Sequence, residues 1–118
     1  MLSTPLLPVR HFTSVAAFVL FGQGALVHAA ESPDKAKMDL GKRVFTQMAE
    51  PSCGVCHTLH DAGTSGTIGA KLEELQPDAM RVATAVRKGL GVMPPYAGKL
   101  TEEQIEAVAY YVSVASRK

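Results

Sequence analysis

The chain's only two cysteines stand three positions apart, in Cys53-Gly54-Val55-Cys56-His57, at the start of a stretch with little else to build a core from. From His60 to Ala70 the sequence reads HDAGTSGTIGA, polar and rich in Gly, Thr and Ser. A disulfide between Cys53 and Cys56 would close a very small loop, and a small loop takes little entropy from the unfolded chain. The pair therefore serves some end other than stapling. The middle of the chain cannot pack by itself, so the fold has to be organised around this cluster and whatever it holds.

Size adds to that constraint. The 118 residues allow one small domain, and the first thirty do not read as part of it. Arg10 and His11 give a weakly basic start, Val15 to Val27 is a short apolar run, and Val27-His28-Ala29 resembles a leader-cleavage pattern. The run has thirteen residues and is interrupted by Gly22, Gln23 and Gly24. A bilayer-spanning helix needs about twenty. The expectation is a secretory leader over 1–29, export to the periplasm, and a domain over 30–118; a retained membrane anchor is the alternative.

Removing Arg10 with that leader leaves eleven basic and eleven acidic residues and a formal charge of zero. No basic stripe remains for nucleic acid, and no field of one sign for steering a partner. About ninety residues bury only a thin core, and domains of that size often depend on a staple. A covalently held cofactor would be one.

Helix signals bracket the polar middle. Ser32-Pro33-Asp34 reads as an N-cap, a proline in the first turn and an acidic residue behind it. Leu40, Val44 and Met48 recur every four positions with Phe45 beside them, predicting a helix to about Ala49 that ends at Pro51. Gly41 costs this helix propensity, which suits a close backbone approach. Cys53 to Thr58 can form a helical turn or two, and 60–70 reads as loop. Gln76-Pro77-Asp78 opens a second helix with the stripe Ala79, Val82, Ala83, Val86, closing at Gly89. After the Gly89–Tyr96 turn, Thr101-Glu102-Glu103-Gln104 is a capping box. It starts a last helix lined by Ile105, Val108, Ala109 and Val112, with Tyr110 and Tyr111 at its flanks. There is no alternating strand and no internal repeat. The expected class is all-α.

Cys-x-x-Cys-His is the attachment signature of c-type haem. Cysteines three apart project to one side of a helical turn, where each thiol can add to a haem vinyl group, and His57 then sits beneath the iron as proximal ligand. Two other chemistries use such residues. A zinc site from Cys53, Cys56, His57 and His60 would want ligand pairs from separate segments, whereas this chain offers one compact cluster. A thiol–disulfide oxidoreductase using Cys53 and Cys56 would want a βαβ context, which the pattern lacks. Gly63, Gly66 and Gly69 do not make a phosphate loop, having neither a preceding strand nor a Lys-Ser/Thr pair.

A second axial ligand should be soft and come from elsewhere in the chain. Met38 and Met48 lie on or near the first helix, and Met80 beside an apolar stripe, where methionine usually packs. Met93 stands in a turn, followed by Pro94 and Pro95, which can stiffen it and aim the thioether. His60 is too near His57 to reach the other face of a haem and reads as a surface residue. His/Met ligation fills the iron's coordination and raises its potential. What remains is one-electron transfer, not substrate chemistry. A carbonyl near Gly69 or Ala70 is the expected acceptor for the His57 Nδ1 proton.

These residues together resemble the class I cytochrome c family over nearly all of 38–116. The likeness runs through Gly41, Phe45, Cys53-x-x-Cys56-His57, Ile68-Gly69, Met93-Pro94 and Tyr110-Tyr111-Val112. It implies first and last helices in close crossing contact, a single haem c on Cys53 and Cys56, and iron ligation by His57 and Met93. The family usually has proline where this chain has Ala70; the backbone carbonyl there survives the change. The interval from Phe45 to Cys53 is longer than in the shortest members, which predicts an outward loop around Pro51. More narrowly, Glu50-Pro51-Ser52-Cys53, Cys56-His57-Thr58-Leu59, Asp61-Ala62-Gly63 and Gly91-Val92-Met93-Pro94 are similar to the cytochrome subunits of bacterial sulfite dehydrogenases. That likeness implies electrons received from a molybdenum enzyme that oxidises sulfite, and passed to a downstream cytochrome or oxidase.

Overall fold

The computed structural model describes Met1 and residues 32–118. Apart from Met1, the expected leader over 1–29 lies outside the described residues, and so do Ala30 and Glu31.

Helix α1 runs Pro33–Arg43, with Ser32 Oγ accepting from the Lys35 N–H at 3.3 Å. It passes directly into a π-helical turn, Val44–Met48, closed by the Ala49 N–H on the Val44 carbonyl at 3.1 Å. This turn changes the expected stripe. A π turn holds extra backbone per revolution, so residues beyond it rotate relative to an α-helix. Val44 and Phe45 are both buried as a result, whereas Met48 swings outward to 43 % exposure and Ala49 takes the inner position.

Helix α2 is the single turn Cys53–Cys56. The following segment is not the plain loop predicted. Thr58–Leu59 (β1) and Thr64–Ser65 (β2) form a minimal antiparallel ladder around the 3-10 turn His60–Ala62. Threonine hydroxyls stand in for a hydrophobic face. Thr64 Oγ1 donates to the His57 carbonyl at 2.9 Å and accepts the Leu59 N–H at 3.2 Å, while Thr58 Oγ1 donates to the Gly66 carbonyl at 2.9 Å. A short helix α3, Leu72–Leu75, also escaped the sequence reading; its one buried residue, Leu72, is too little to show a period.

Helix α4 spans Ala79–Lys88, capped by Asp78 accepting from the Arg81 N–H at 2.8 Å, and ends at Gly89 with φ 73°. Helix α5 spans Glu102–Ala115 behind the predicted capping box, with both reciprocal hydrogen bonds made. Its inner face holds Ile105, Val108, Ala109 and Val112, and also Tyr111, which is 1 % exposed and not at the flank. The Tyr111 ring meets Phe45 edge-on at 6.0 Å, and its hydroxyl donates to Asp61 Oδ1 at 2.9 Å. That bond satisfies its one polar atom within the core.

α1 and α5 cross at Gly41. A Cβ there would overlap the Ala107 carbonyl oxygen and stand 2.5 Å from Tyr111 Cβ. Helices α1, α4 and α5 thus frame an all-α domain, as expected, and the segments carrying Cys53–His57 and Met93 close its open side. Among the described residues no helix is long and apolar enough to cross a membrane.

Candidate haem site

Ser52 fixes the way into α2. Its hydroxyl donates to the Phe45 carbonyl at 3.0 Å and also contacts the Thr46 carbonyl at 3.2 Å, tying the segment to the end of the first helix. Pro51 is exposed just before it, where an outward loop was expected. Cys53 and Cys56 begin and end the single turn of α2 and are not joined by a disulfide. His57 follows in extended conformation with its N–H on the Cys53 carbonyl at 2.9 Å.

The imidazole is held from two sides. Nδ1 lies 2.8 Å from the Ala70 carbonyl oxygen. A carbonyl only accepts, so Nδ1 carries the proton and Nε2 keeps its lone pair. Gly69 lies against the ring, where a Cβ would come within 2.5 Å of His57 Cε1. The glycine-rich loop is what lets backbone approach the ring this closely.

Met93 comes from the turn after α4. Leu90 and Met93 exchange backbone hydrogen bonds, at 3.1 Å from the Leu90 N–H and 3.0 Å from the Met93 N–H. Gly91 at φ 59° turns the chain between them. At Gly89 a Cβ would come within 2.6 Å of the Met93 carbonyl oxygen. The two glycines therefore allow the turn to fold back on the end of α4.

Cys53, His57 and Met93 border one cavity of about 700 Å³, walled by Phe45, Leu72, Val82, Val86, Val108 and Val112. That volume lies within the roughly 300–1,000 Å³ of ligand sites and far above a packing void. A small second cavity, about 40 Å³, adds Cys56 to the same three residues, together with Pro94 and Tyr96. The residues present fit a haem c: two thiols on one helical turn, an imidazole with a lone pair to give, a thioether from a separate segment, and apolar walls.

Other sequence candidates fall elsewhere. His60 is exposed, and Met80 borders the large cavity yet is 80 % exposed. Met38 is partly buried against the core, and Met48 faces outward. Burial pushes the Cys53 thiol up to about 11, which leaves little thiolate for exchange chemistry at neutral pH.

One contributor left no mark in the sequence pattern. Tyr96 is 3 % exposed, and its hydroxyl donates to the Pro51 carbonyl at 2.7 Å, joining the methionine turn to the approach to α2. Burial pushes this phenol up to about 12, so it retains its proton at neutral pH. An aromatic after two prolines has no periodic neighbours to reveal it.

Comparison with known proteins matches these features. The family model described as cytochrome c oxidase, cbb3-type, subunit III, matches residues 36–112. Cytochrome c6 of Thermosynechococcus vestitus is 33 % identical over 107 residues, covering 87 % of this chain and 89 % of that protein. Cytochrome c6 of Microcystis aeruginosa is 34 % identical over 71 residues, covering 57 % of this chain and 88 % of its own. Among solved structures, the c-type cytochrome SorU from Sinorhizobium meliloti is 50 % identical with a TM-score of 0.69, over 71 % of this chain and 95 % of that one. With a helical frame, a haem-sized cavity and relatives of this kind, the chain belongs to the class I c-type cytochromes, single-haem electron carriers that hold haem c covalently.

Proposed function

We propose that this cytochrome carries single electrons in the periplasm, accepting them from a molybdenum-containing sulfite dehydrogenase and delivering them to a downstream cytochrome or oxidase. The haem is bonded through Cys53 and Cys56 and ligated by His57 and Met93. When bound, the haem supplies a one-electron couple; the chain supplies attachment, ligands and shielding. The observation that carries this reading is the pairing of His57 and Met93 on one apolar cavity, with His57 Nδ1 committed to the Ala70 carbonyl.

Each residue then has a defined task. Cys53 and Cys56 would attach the haem to α2. His57 donates through Nε2, and its Nδ1 hydrogen bond orients the imidazole and makes it a stronger donor. Met93 offers a soft thioether, which favours the reduced state and raises the potential. The apolar walls from α4 and α5 lower the polarity around the site, which adds to the same effect. Ile68 and Val92, exposed at the small cavity, provide an apolar face where a partner can approach closely.

Export is part of the proposal. Residues 1–29 act as a leader and 30–118 as the working protein, supported by the short apolar run and the Val27-His28-Ala29 pattern. The sulfite dehydrogenase partner is supported by the likeness around Glu50–Cys53, Cys56–Leu59 and Gly91–Pro94.

Rapid-mixing reduction of the purified holoprotein tests the partner. A sulfite dehydrogenase should reduce it at a rate that saturates catalytic turnover, while unrelated dehydrogenases should not. Equal rates with all donors would remove the partner assignment. An exported protein with the mass of its bare amino acids and no Soret band would remove the haem reading altogether.

A further inference from the structure

We propose that Tyr96 is a positioning residue for Met93: its buried phenol, donating to the Pro51 carbonyl, clamps the methionine turn to the segment leading into the haem-attachment helix. The inference rests on the reading of Met93 as axial ligand, and adds the device that holds the thioether in place.

The turn needs such a device. Gly89, Gly91 and Gly98 all have positive φ, at 73°, 59° and 81°. A segment with that much glycine loses more freedom on ordering than others do. Local bonding within the turn consists of the reciprocal Leu90–Met93 pair. A thioether is a weak, uncharged donor, so its hold on a metal depends on being presented in place rather than searching for it.

Tyr96 is anchored at every polar group. Its N–H donates to the Val86 carbonyl in α4 at 2.8 Å, and its own carbonyl accepts from the Lys99 and Leu100 N–H groups at 2.9 and 3.0 Å. Its hydroxyl spans 45 positions of sequence to reach Pro51. The far end is equally fixed, because the neighbouring Ser52 is bonded to the end of the first helix. Between Met93 and Tyr96 stand Pro94 and Pro95, whose φ angles cannot swing freely. A stiff arm of two prolines thus connects the clamped tyrosine to the methionine. The clamp also lines the small cavity that touches Cys56, His57 and Met93, which puts it beside the site it serves.

The test is Tyr96→Phe in matured holoprotein, with Tyr111→Phe as control. Both variants remove one buried hydroxyl hydrogen bond, but Tyr111 lies on the α1–α5 side and borders neither cavity. Tyr96→Phe should weaken the thioether-to-iron charge-transfer absorption of the oxidised protein. It should also raise carbon monoxide affinity of the reduced protein by about three- to tenfold, the scale of one lost hydrogen bond. Tyr111→Phe should lower the denaturation midpoint while leaving both signals at wild-type values.

Carbon monoxide affinity unchanged in Tyr96→Phe, or raised equally in Tyr111→Phe, would overturn the clamp. Met93→Ala tells the two ideas apart. If it leaves the charge-transfer band intact, the ligand reading has failed; if it abolishes the band while Tyr96→Phe does nothing, only the clamp has. Should Tyr96→Phe not accumulate as holoprotein, proton resonance of the wild type decides. A slowly exchanging Tyr96 hydroxyl proton supports the clamp, and exchange as fast as an exposed phenol refutes it.

Discussion

His57 has one ring nitrogen committed to the protein, and the commitment is made to a backbone atom. Because the acceptor is the Ala70 carbonyl, the side chain at position 70 takes no part in the bond. Among the described residues Met93 has no comparable partner for its sulfur, so its assignment is open to a direct test. Met93→Ala should open the sixth position, lower the reduction potential and create carbon monoxide affinity, read by potentiometry and visible spectra. Met80→Ala should change none of these, since Met80 is 80 % exposed; the opposite pattern would exchange the two roles. The cysteines and histidine were legible because covalent geometry imposes their spacing whatever the rest of the fold does. Tyr96 was not, because its acceptor is a main-chain oxygen 45 positions upstream, and no local pattern records such a bond.

The crossing of α1 on α5 sets two opposing effects against each other at Gly41. Replacing glycine by alanine in a helix interior normally gains roughly 0.5–1 kcal/mol. Here the new methyl would run into the Ala107 carbonyl and Tyr111 Cβ, both backbone-fixed, and overpacking costs about 1–3 kcal/mol. The clash wins, so Gly41→Ala should lower the urea midpoint. A second tie joins these helices through the 3-10 turn. Asp61 accepts from Tyr111, Lys118 and Lys42, at 2.9, 3.1 and 3.3 Å. Burial alone would raise its carboxyl, but those three donors outweigh it and hold the group below its ordinary value. A lowered folded value stabilises the protein above the unfolded carboxylate value, and the contribution is lost as pH falls through the folded one. Asp61→Asn should therefore be less stable than wild type near pH 7. The two should converge in acid, below about pH 4, as thermal melts across pH will show. Helix boundaries were readable from the sequence because caps act within one turn, as at Ser32, Asp78 and Thr101. The π turn was not, since it answers a tertiary demand to bury Val44 and Phe45 together.

Over the whole molecule, charge is distributed unevenly about the site: Asp78, Arg81 and Lys88 border the large cavity, whereas the side of the small one carries no charged side chain. Positions 54–58, 62–70 and 89–98 contain no Asp, Glu, Lys or Arg, and these stretches bring Ile68, Val92 and Pro94 to the small cavity. Docking on such a face should depend weakly on salt. Going from about 10 to about 150 mM ionic strength shortens the screening length from roughly 30 to 8 Å. The bimolecular reduction rate should change less than about twofold, against the tenfold or more of steered pairs. Stopped-flow kinetics over that range provide the check. That the polar middle needed something to surround was evident from composition. Its walls were not, since they come from α4 and α5, remote in sequence.

The size of the cavity also decides the order in which the protein comes into being. Left unfilled, a cleft of about 700 Å³ would leave its apolar lining without packing partners and partly exposed to water. A small domain has only about 5–15 kcal/mol in total. The bare polypeptide should thus show no cooperative melting and little helical circular dichroism when made without attachment machinery. Maturation then runs in one direction: capture of the porphyrin by two thiols comes first and a native shape only afterwards, so that attainment of that shape certifies completed attachment.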